Sequence, residues 1–418
     1  MKNRNRVSLF NILSTCLLYG ISFFTAPLFS RLLGTDGYGA VANYTVWVSV
    51  LSVSATLLTY GTLAPALVEY SEEEQKKYQS SVMFLSLCSF FTVTVLIALF
   101  LRPISRGLRL SPFFIFLILF QSIGTFGINF MNTKLTYEMK AGKNLILSVG
   151  TSLATLAISL VLVLLLPQEV KHYGRIVGIA VVYGFLGLGM CLSILRGGKT
   201  FYVPAYWKFC VPLAIPLVFY NLADLLLGHS DVVMLRQLLD QSTSGIYNYG
   251  YQLGTILFTL FNALNNSWVA FFYADYKQGK TQDVQRQSRN FLELFTVLSA
   301  GFILLCREVY MLYARQDFWA ATGLVPLFAV SHYLTFLGTF PANYEYYHKK
   351  MKIGAAATIV SCLVNMGLNL VLIPRMGISG AAVATVLAHG LQFAIHHVYT
   401  RFFLGGKDYI FRFRLWGP

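Results

Sequence analysis

Charge is scarce in this chain. Asp, Glu, Lys and Arg make up only 12% of its 418 residues, about half the share of a soluble domain, and 17 acidic residues face 32 basic ones. So few ions cannot cover a water-exposed surface, which excludes an ordinary soluble domain. The six cysteines, at Cys16, Cys88, Cys191, Cys210, Cys306 and Cys362, lie in or beside apolar stretches without CxxC or Cys/His spacing. They read as packing residues rather than disulfide partners or metal ligands. The histidines are scattered and HExxH is absent, so nothing points to a zinc hydrolase. Gly198-Lys199-Thr200 looks like the end of a phosphate-binding loop, but the glycine needed five positions before Gly198 is Ser193. No cofactor or metal is called for, and no enzyme is expected.

What fills the chain is apolar: 56% hydrophobic residues, 34 Phe, 25 Tyr and a mean hydropathy of +0.61. This is the composition of an integral membrane protein. About twelve stretches are long enough to cross a ~30 Å hydrocarbon core: residues 8–30, 40–68, 80–101, 112–132, 145–166, 176–195, 211–235, 244–272, 290–312, 318–340, 353–373 and 378–404. The first follows the basic arm Met1–Arg6, is too long for a signal-peptide core and lacks an A-x-A cleavage site, so it is read as a retained span. An even number of crossings puts both termini on one side. With that side cytoplasmic, 22 of the 32 Lys and Arg lie inside, as positive-inside topology requires. Their dispersal through short loops also argues against nucleic acid as a partner.

The two halves echo each other. Leu32-Leu33-Gly34-Thr35-Asp36-Gly37-Tyr38-Gly39 aligns without gaps on Leu238-Leu239-Asp240-Gln241-Ser242-Thr243-Ser244-Gly245, and Ile176–Val181 aligns on Ile378–Val383. The offsets of 206 and 202 residues place the join near residue 206. The expected fold is all-α: two pseudo-symmetric six-helix bundles, residues 1–206 and 207–418, around a central cavity, the usual route for solute in transporters built from repeats.

One stretch breaks the apolar rule. Tyr220–Asp231 carries Asp224 and Asp231 where lipid is expected, at about 2.5–3.5 kcal/mol per ionised side chain at mid-bilayer. On a helix, Asn221, Asp224, Gly228 and Asp231 share one face, within an arc of about 80°, which is expected to look inward. Such a face serves a cation or proton site, binds sugar hydroxyls, or hydrogen-bonds neighbouring helices. Its counterparts in the first half, Leu18 and Thr25, carry no charge.

The motifs Leu33-Gly34-x-x-x-Tyr38-Gly39 and Asp231-Val232-Val233-Met234-Leu235, followed after nine intervening residues by Gly245-Ile246-Tyr247-Asn248-Tyr249, resemble those of the oligosaccharide flippases of the polysaccharide transporter family. That family shares a superfamily with multidrug and toxin extruders and lipid II flippases. The resemblance extends along essentially the whole chain, including Gly-x-x-Gly-Ala-Ala at Gly377–Ala382. The family often has Asp-Arg in the seventh span, whereas here Asp231 precedes Val232. The resemblance implies a flippase that moves an undecaprenyl-pyrophosphate-linked oligosaccharide across the bacterial cytoplasmic membrane by alternating access, for surface polysaccharide. Its implied partners are the lipid-linked glycan, membrane lipids, H+ or Na+, and a polysaccharide polymerase or glycosyltransferases; the expected state is a monomer. Two alternatives stay open: a cation-coupled multidrug exporter, and a non-transporting scaffold of a glycan-synthesis complex.

Candidate cavity residues are Asn221, Asp224, Asp231, Glu293, Asn43, Tyr247, Tyr249, Asn262, Asn265, Asn266 and His332. Polar residues of the first span (Asn11, Ser14, Thr15, Tyr19, Ser22, Thr25) accompany them, since amides and hydroxyls bind sugars and aromatic faces pack on C–H surfaces. His389, His396 and His397 are proton-relay candidates or structural histidines. A pyrophosphate calls for cations, and Arg31, Lys140 and Lys208 are the candidates, with Lys134 and Lys143 nearby; all of them also fit a purely topological role.

Overall fold

The computed structural model describes residues 2–404, with side chains throughout except at residues 2–16, 19, 22, 263, 266, 267 and 270. Helices follow in the order α1 (Lys2–Ser54), α2 (Leu63–Glu69), α3 (Glu72–Leu99), α4 (Leu101–Leu108), α5 (Pro112–Tyr137), α6 (Ala141–Leu165), α7 (Lys171–Gly198), α8 (Pro204–Leu238), α9 (Gln241–Lys277), α10 (Thr281–Tyr313), α11 (Val325–Tyr347), α12 (Met351–Met376) and α13 (Ile378–Phe403). No strand occurs among the described residues. Nine helices there are long and apolar enough to cross a membrane, or ten when the bent pair Phe23–Ser54 and Thr59–Glu69 counts as one span. The chain is an all-α, multi-pass membrane protein.

Helix α1 runs through the first expected span and into the second, which it leaves at Ser54 well short of residue 68, and it breaks at Gly34, where φ is 68° and ψ −177°, a region essentially reserved for glycine. At the aligned position of the second half, the break between α8 and α9 is made by Asp240. Its carboxylate caps α9, accepting from the Thr243 main-chain N–H at 2.8 Å and from Thr243 Oγ1 at 2.7 Å. These bonds favour the ionised form and hold the Asp240 carboxyl below its usual range. The second repeat is equally concrete. A Cβ on Gly178 would come within 2.7 Å of Ser159 Cα, where α7 packs back on α6, and one on Gly380 within 2.4 Å of the Leu372 carbonyl oxygen, where α13 packs back on α12. Both glycines permit the same close helix return.

The chain divides into two compact units, Met1–Leu225 and Leu226–Pro418, with the boundary inside α8. In the first, α5 and α7 approach so closely that a Cβ on Gly187 would sit 1.9 Å from the Gly124 carbonyl oxygen. Tyr44 of α1 donates to Gln121 Oε1 of α5 at 2.8 Å. The early part of α8 belongs here because Tyr206, Cys210 and Ala214 bury themselves with Tyr78, Phe126 and Phe130. The second unit has an aromatic core in which Phe261, Trp268 and Phe272 of α9 meet Phe295 of α10 and Phe336 and Phe340 of α11. Of the five cysteines with described side chains, Cys191, Cys210, Cys306 and Cys362 are buried and Cys88 is exposed.

Candidate functional site

The polar centre of the second unit is Asp231, 1% exposed. Tyr247 of α9 donates its hydroxyl to Asp231 Oδ2 at 2.5 Å, Thr385 of α13 donates to the same oxygen at 2.5 Å, and the Asn369 amide of α12 donates to Oδ1 at 2.5 Å. Asn365 joins these groups: its Oδ1 accepts from Asn369 Nδ2 at 3.1 Å and from Ser230 Oγ at 3.1 Å. Three neutral donors from three other helices therefore satisfy one carboxylate, and Asp231 forms no ion pair among the described residues. Seen from the carboxylate, the surroundings are oxygen-rich. Asn365 Oδ1, Thr385 Oγ1 and the Ala381 carbonyl, 3.0 Å from Thr385 Oγ1, lie in the same network. The Asn369 Oδ1 is buried without a hydrogen-bond partner.

The expected polar face of α8 does not share one environment. Asp231 is buried, Asn221 is half-buried and bonds its own helix at the Leu217 carbonyl (2.8 Å), and Asp224 is exposed. A helical wheel treats the helix as one surface, whereas α8 crosses the boundary between two compact units after Leu225.

Of the other candidates, only Tyr247 joins Asp231. Tyr249 is packed between Tyr310 and Phe318, and its hydroxyl donates to the Tyr313 carbonyl at 3.1 Å, a core position rather than a cavity wall. Glu293 is exposed on α10 and paired with Arg289 at 2.8 Å, which makes it a surface i, i+4 pair. Asn43 is buried and donates to the Gly39 carbonyl at 3.0 Å. Asn262 and Asn265 are half-buried on α9. His332 is buried beside Tyr251 and Phe258, at ring separations of 5.7 and 5.3 Å. Arg31 and Lys208 are exposed, and Lys140 pairs with Glu138 at 2.7 Å. Asn266 and the first-span residues Asn11, Ser14, Thr15, Tyr19 and Ser22 fall outside the described side chains.

The sequence profile described as polysaccharide biosynthesis protein matches residues 6–271. The chain belongs to that family. The probable low-salt glycan biosynthesis flippase Agl15 of Haloferax volcanii is 21% identical to this family member over 405 residues, 93% of this chain and 81% of that protein. Among solved structures, the inward closed lipid II flippase MurJ superimposes with a TM-score of 0.66 at 15% identity, covering 97% of this chain and 89% of MurJ. An inward-facing multidrug resistance transporter of the MATE family and MOP superfamily matches with a TM-score of 0.65 at 12% identity, covering 92% and 93%. At such identities these two establish the fold of the family member and nothing finer.

Sequence reading missed the partners that make Asp231 tolerable, Asn365, Asn369 and Thr385. The signal was present in α12, where Ser361, Asn365 and Asn369 recur every fourth residue and are all buried, a polar stripe on one helix face. It also missed Glu345. This buried carboxylate at the end of α11 meets His396 Nδ1 at 2.9 Å and accepts from Thr400 Oγ1 at 3.2 Å. His396 thus has an acidic partner, while His389 meets the Thr335 hydroxyl at 3.2 Å.

Proposed function

We propose that this polysaccharide biosynthesis protein is a flippase that carries an undecaprenyl-pyrophosphate-linked oligosaccharide from the cytoplasmic to the outer leaflet of a bacterial cytoplasmic membrane. It acts by alternating access between its two halves, residues 1–206 and 207–418, with both termini cytoplasmic. The family match supports the class of pathway, and the relation to Agl15 supports the flippase activity. Substrate is delivered by glycosyltransferases and taken up by a polymerase, so removal of product on the far side adds to any ion gradient.

Asp231 is the observation that carries the coupled part of the mechanism. A carboxylate removed from water is costly by several kcal/mol even when well bonded, and a chain under no functional demand fills such a position with an apolar side chain. One carboxylate among amide, hydroxyl and carbonyl oxygens suits a monovalent hard cation or a proton. On entry, Na+ would take the place of the Tyr247, Thr385 and Asn369 donors; a proton would sit on the carboxylate itself and donate to Thr385 or Asn365. Either event changes bonds among α8, α9, α12 and α13 together. That shared dependence lets one ion shift the packing of four helices.

The test is made in cells lacking the chromosomal copy. Loss of the protein is expected to trap lipid-linked oligosaccharide in the inner leaflet and abolish surface glycan; unchanged precursor distribution overturns the reading. The same carboxylate also fits cation-coupled export of a small organic solute. Robust gradient-driven efflux of an organic cation, abolished by Asp231→Asn or Asp224→Asn, would favour that second reading.

A further inference from the structure

The first unit holds a cavity of about 500 Å³ between α3, α5, α6 and α7. Four ammonium groups line it, from Lys76, Lys134, Lys140 and Lys143, with Glu138 as the one carboxylate. Glu138 lies 2.7 Å from the Lys140 Nζ and 3.9 Å from that of Lys134, so it balances only part of this charge. Helix α6 begins at Ala141, directly after Lys140, and the positive end of its dipole adds to the same potential. The remaining wall is mostly apolar, formed by Met131, Leu135, Ile146, Leu147 and Met190, with Ser193 as its one neutral polar residue. Ile146 is 74% exposed, which extends this apolar wall onto the outer face of the helices. The α3 side is rigid: a Cβ on Gly198 would lie 2.1 Å from the Lys76 carbonyl oxygen, so α7 locks against α3 there.

We infer that this cavity binds the phosphate headgroup of a membrane lipid, with the lysines on the phosphate and the tail leaving past Ile146. Basic pockets between spans at the cytoplasmic side recognise acidic headgroups in this way, and the Lys and Arg distribution puts this end of the helices in the cytoplasm. An amphipathic ligand fits better than a free anion, because the cavity joins a cationic side to an exposed apolar one. Two sources share the chemistry: an anionic bilayer phospholipid and a polyprenyl-phosphate carrier. The inference concerns binding alone and holds whether or not the chain is a flippase.

Native mass spectrometry of the purified full-length protein tests it, with phosphatidylglycerol, undecaprenyl phosphate, zwitterionic phosphatidylcholine and inorganic phosphate as probes. One or both lipid phosphates are expected to bind, and whichever binds more tightly identifies the source. Replacing Lys134, Lys140 and Lys143 together by Gln is expected to weaken that binding roughly ten- to a hundredfold. Met190→Trp, which fills the apolar side without changing charge, is expected to reduce lipid binding as well. A matched triple variant at Lys349, Lys350 and Lys352, outside the cavity, is expected to bind like the wild type, and equal melting temperatures establish that the variants are folded. Equal loss in both triple variants, retained binding in the cavity variants, equal binding of phosphatidylcholine, or competition by inorganic phosphate at the lipid's own concentration would overturn the assignment.

Discussion

Replacing Asp231 by Asn separates the cost of the buried charge from the value of its bonds. The amide is nearly the same size, and the Tyr247 and Thr385 hydroxyls, now donors to Oδ2 at 2.5 Å, can rotate to accept from it instead. The variant escapes a desolvation penalty of several kcal/mol. It also exchanges three charge-assisted bonds, about 1.5–3 kcal/mol each, for neutral ones of about 0.5–1.5. The two effects nearly cancel, so the unfolding free energy is expected to change by no more than about 2 kcal/mol. Asp231→Ala differs. Thr385 can fall back on the Ala381 carbonyl at 3.0 Å and Asn369 on Asn365 Oδ1 at 3.1 Å, but Tyr247 keeps only Thr385 Oγ1 at 3.5 Å. One unsatisfied buried hydroxyl and a new void place it about 2–4 kcal/mol below Asp231→Asn. Thermal unfolding in detergent measures both. If Na+ is the coupling ion, it should stabilise the wild type by about 2.7 kcal/mol at a hundred times its Kd and leave Asp231→Asn unmoved. Transport by both variants should be lost. An Asp231→Asn protein as destabilised as Asp231→Ala would refute the network account, and one that transports normally would make the carboxylate structural.

Other consequences follow from the packing. Gly187→Ala should destabilise the first unit by at least about 1–3 kcal/mol, because its methyl group would meet the Gly124 carbonyl, a main-chain atom that cannot swing away; yield of folded protein and melting temperature report it. Glu345→Ala takes from His396 and Thr400 the buried acceptor they share and should cost about 1–3 kcal/mol, with Glu345→Gln recovering part of it. A melting temperature unchanged by Glu345→Ala would show that the pair contributes nothing. Asp240→Ala removes the cap of α9 and should cost about 1 kcal/mol at pH 7. Since the folded-state pKa of Asp240 lies below the usual value, its contribution is complete above about pH 4 and fades as the pH falls further. The difference in stability between wild type and Asp240→Ala should therefore narrow in acid.

Hydropathy made most of the spans legible because apolar length is a local property: most of the predicted stretches lie on α-helix, but 40–68 is interrupted between Ser54 and Leu63 and 318–340 begins in the 3-10 segment Gln316–Leu324, and the aligned repeat falls where helices break at Gly34 and Asp240. The site was only half legible. Two carboxylates in one helix marked the expensive stretch, yet composition could not rank them, and Asp224 is exposed while Asp231 is buried. What distinguishes them is the set of residues that face each one, and Asn369 and Thr385 lie 138 and 154 positions along the chain from Asp231. Periodicity assigns a residue to a face and leaves the opposing helix unknown. Tyr249 shows the converse error. An aromatic residue two positions from Tyr247 is grouped with it by sequence, but residues two apart point to different sides of a helix, and Tyr249 packs instead against Tyr310, Tyr313 and Phe318.

The wide spacing of the Asp231 partners also sets a schedule for biogenesis. With Thr385 154 residues downstream, synthesis at about 5–20 residues per second puts that hydroxyl in reach of the membrane roughly 8–30 s after Asp231. Tyr247, 16 residues on, arrives within about 1–3 s at the same rates. For most of the interval the carboxylate therefore has one of its three donors. Nascent chains stalled before α12 hold an incompletely solvated acid in the bilayer, which makes them natural targets for membrane quality control.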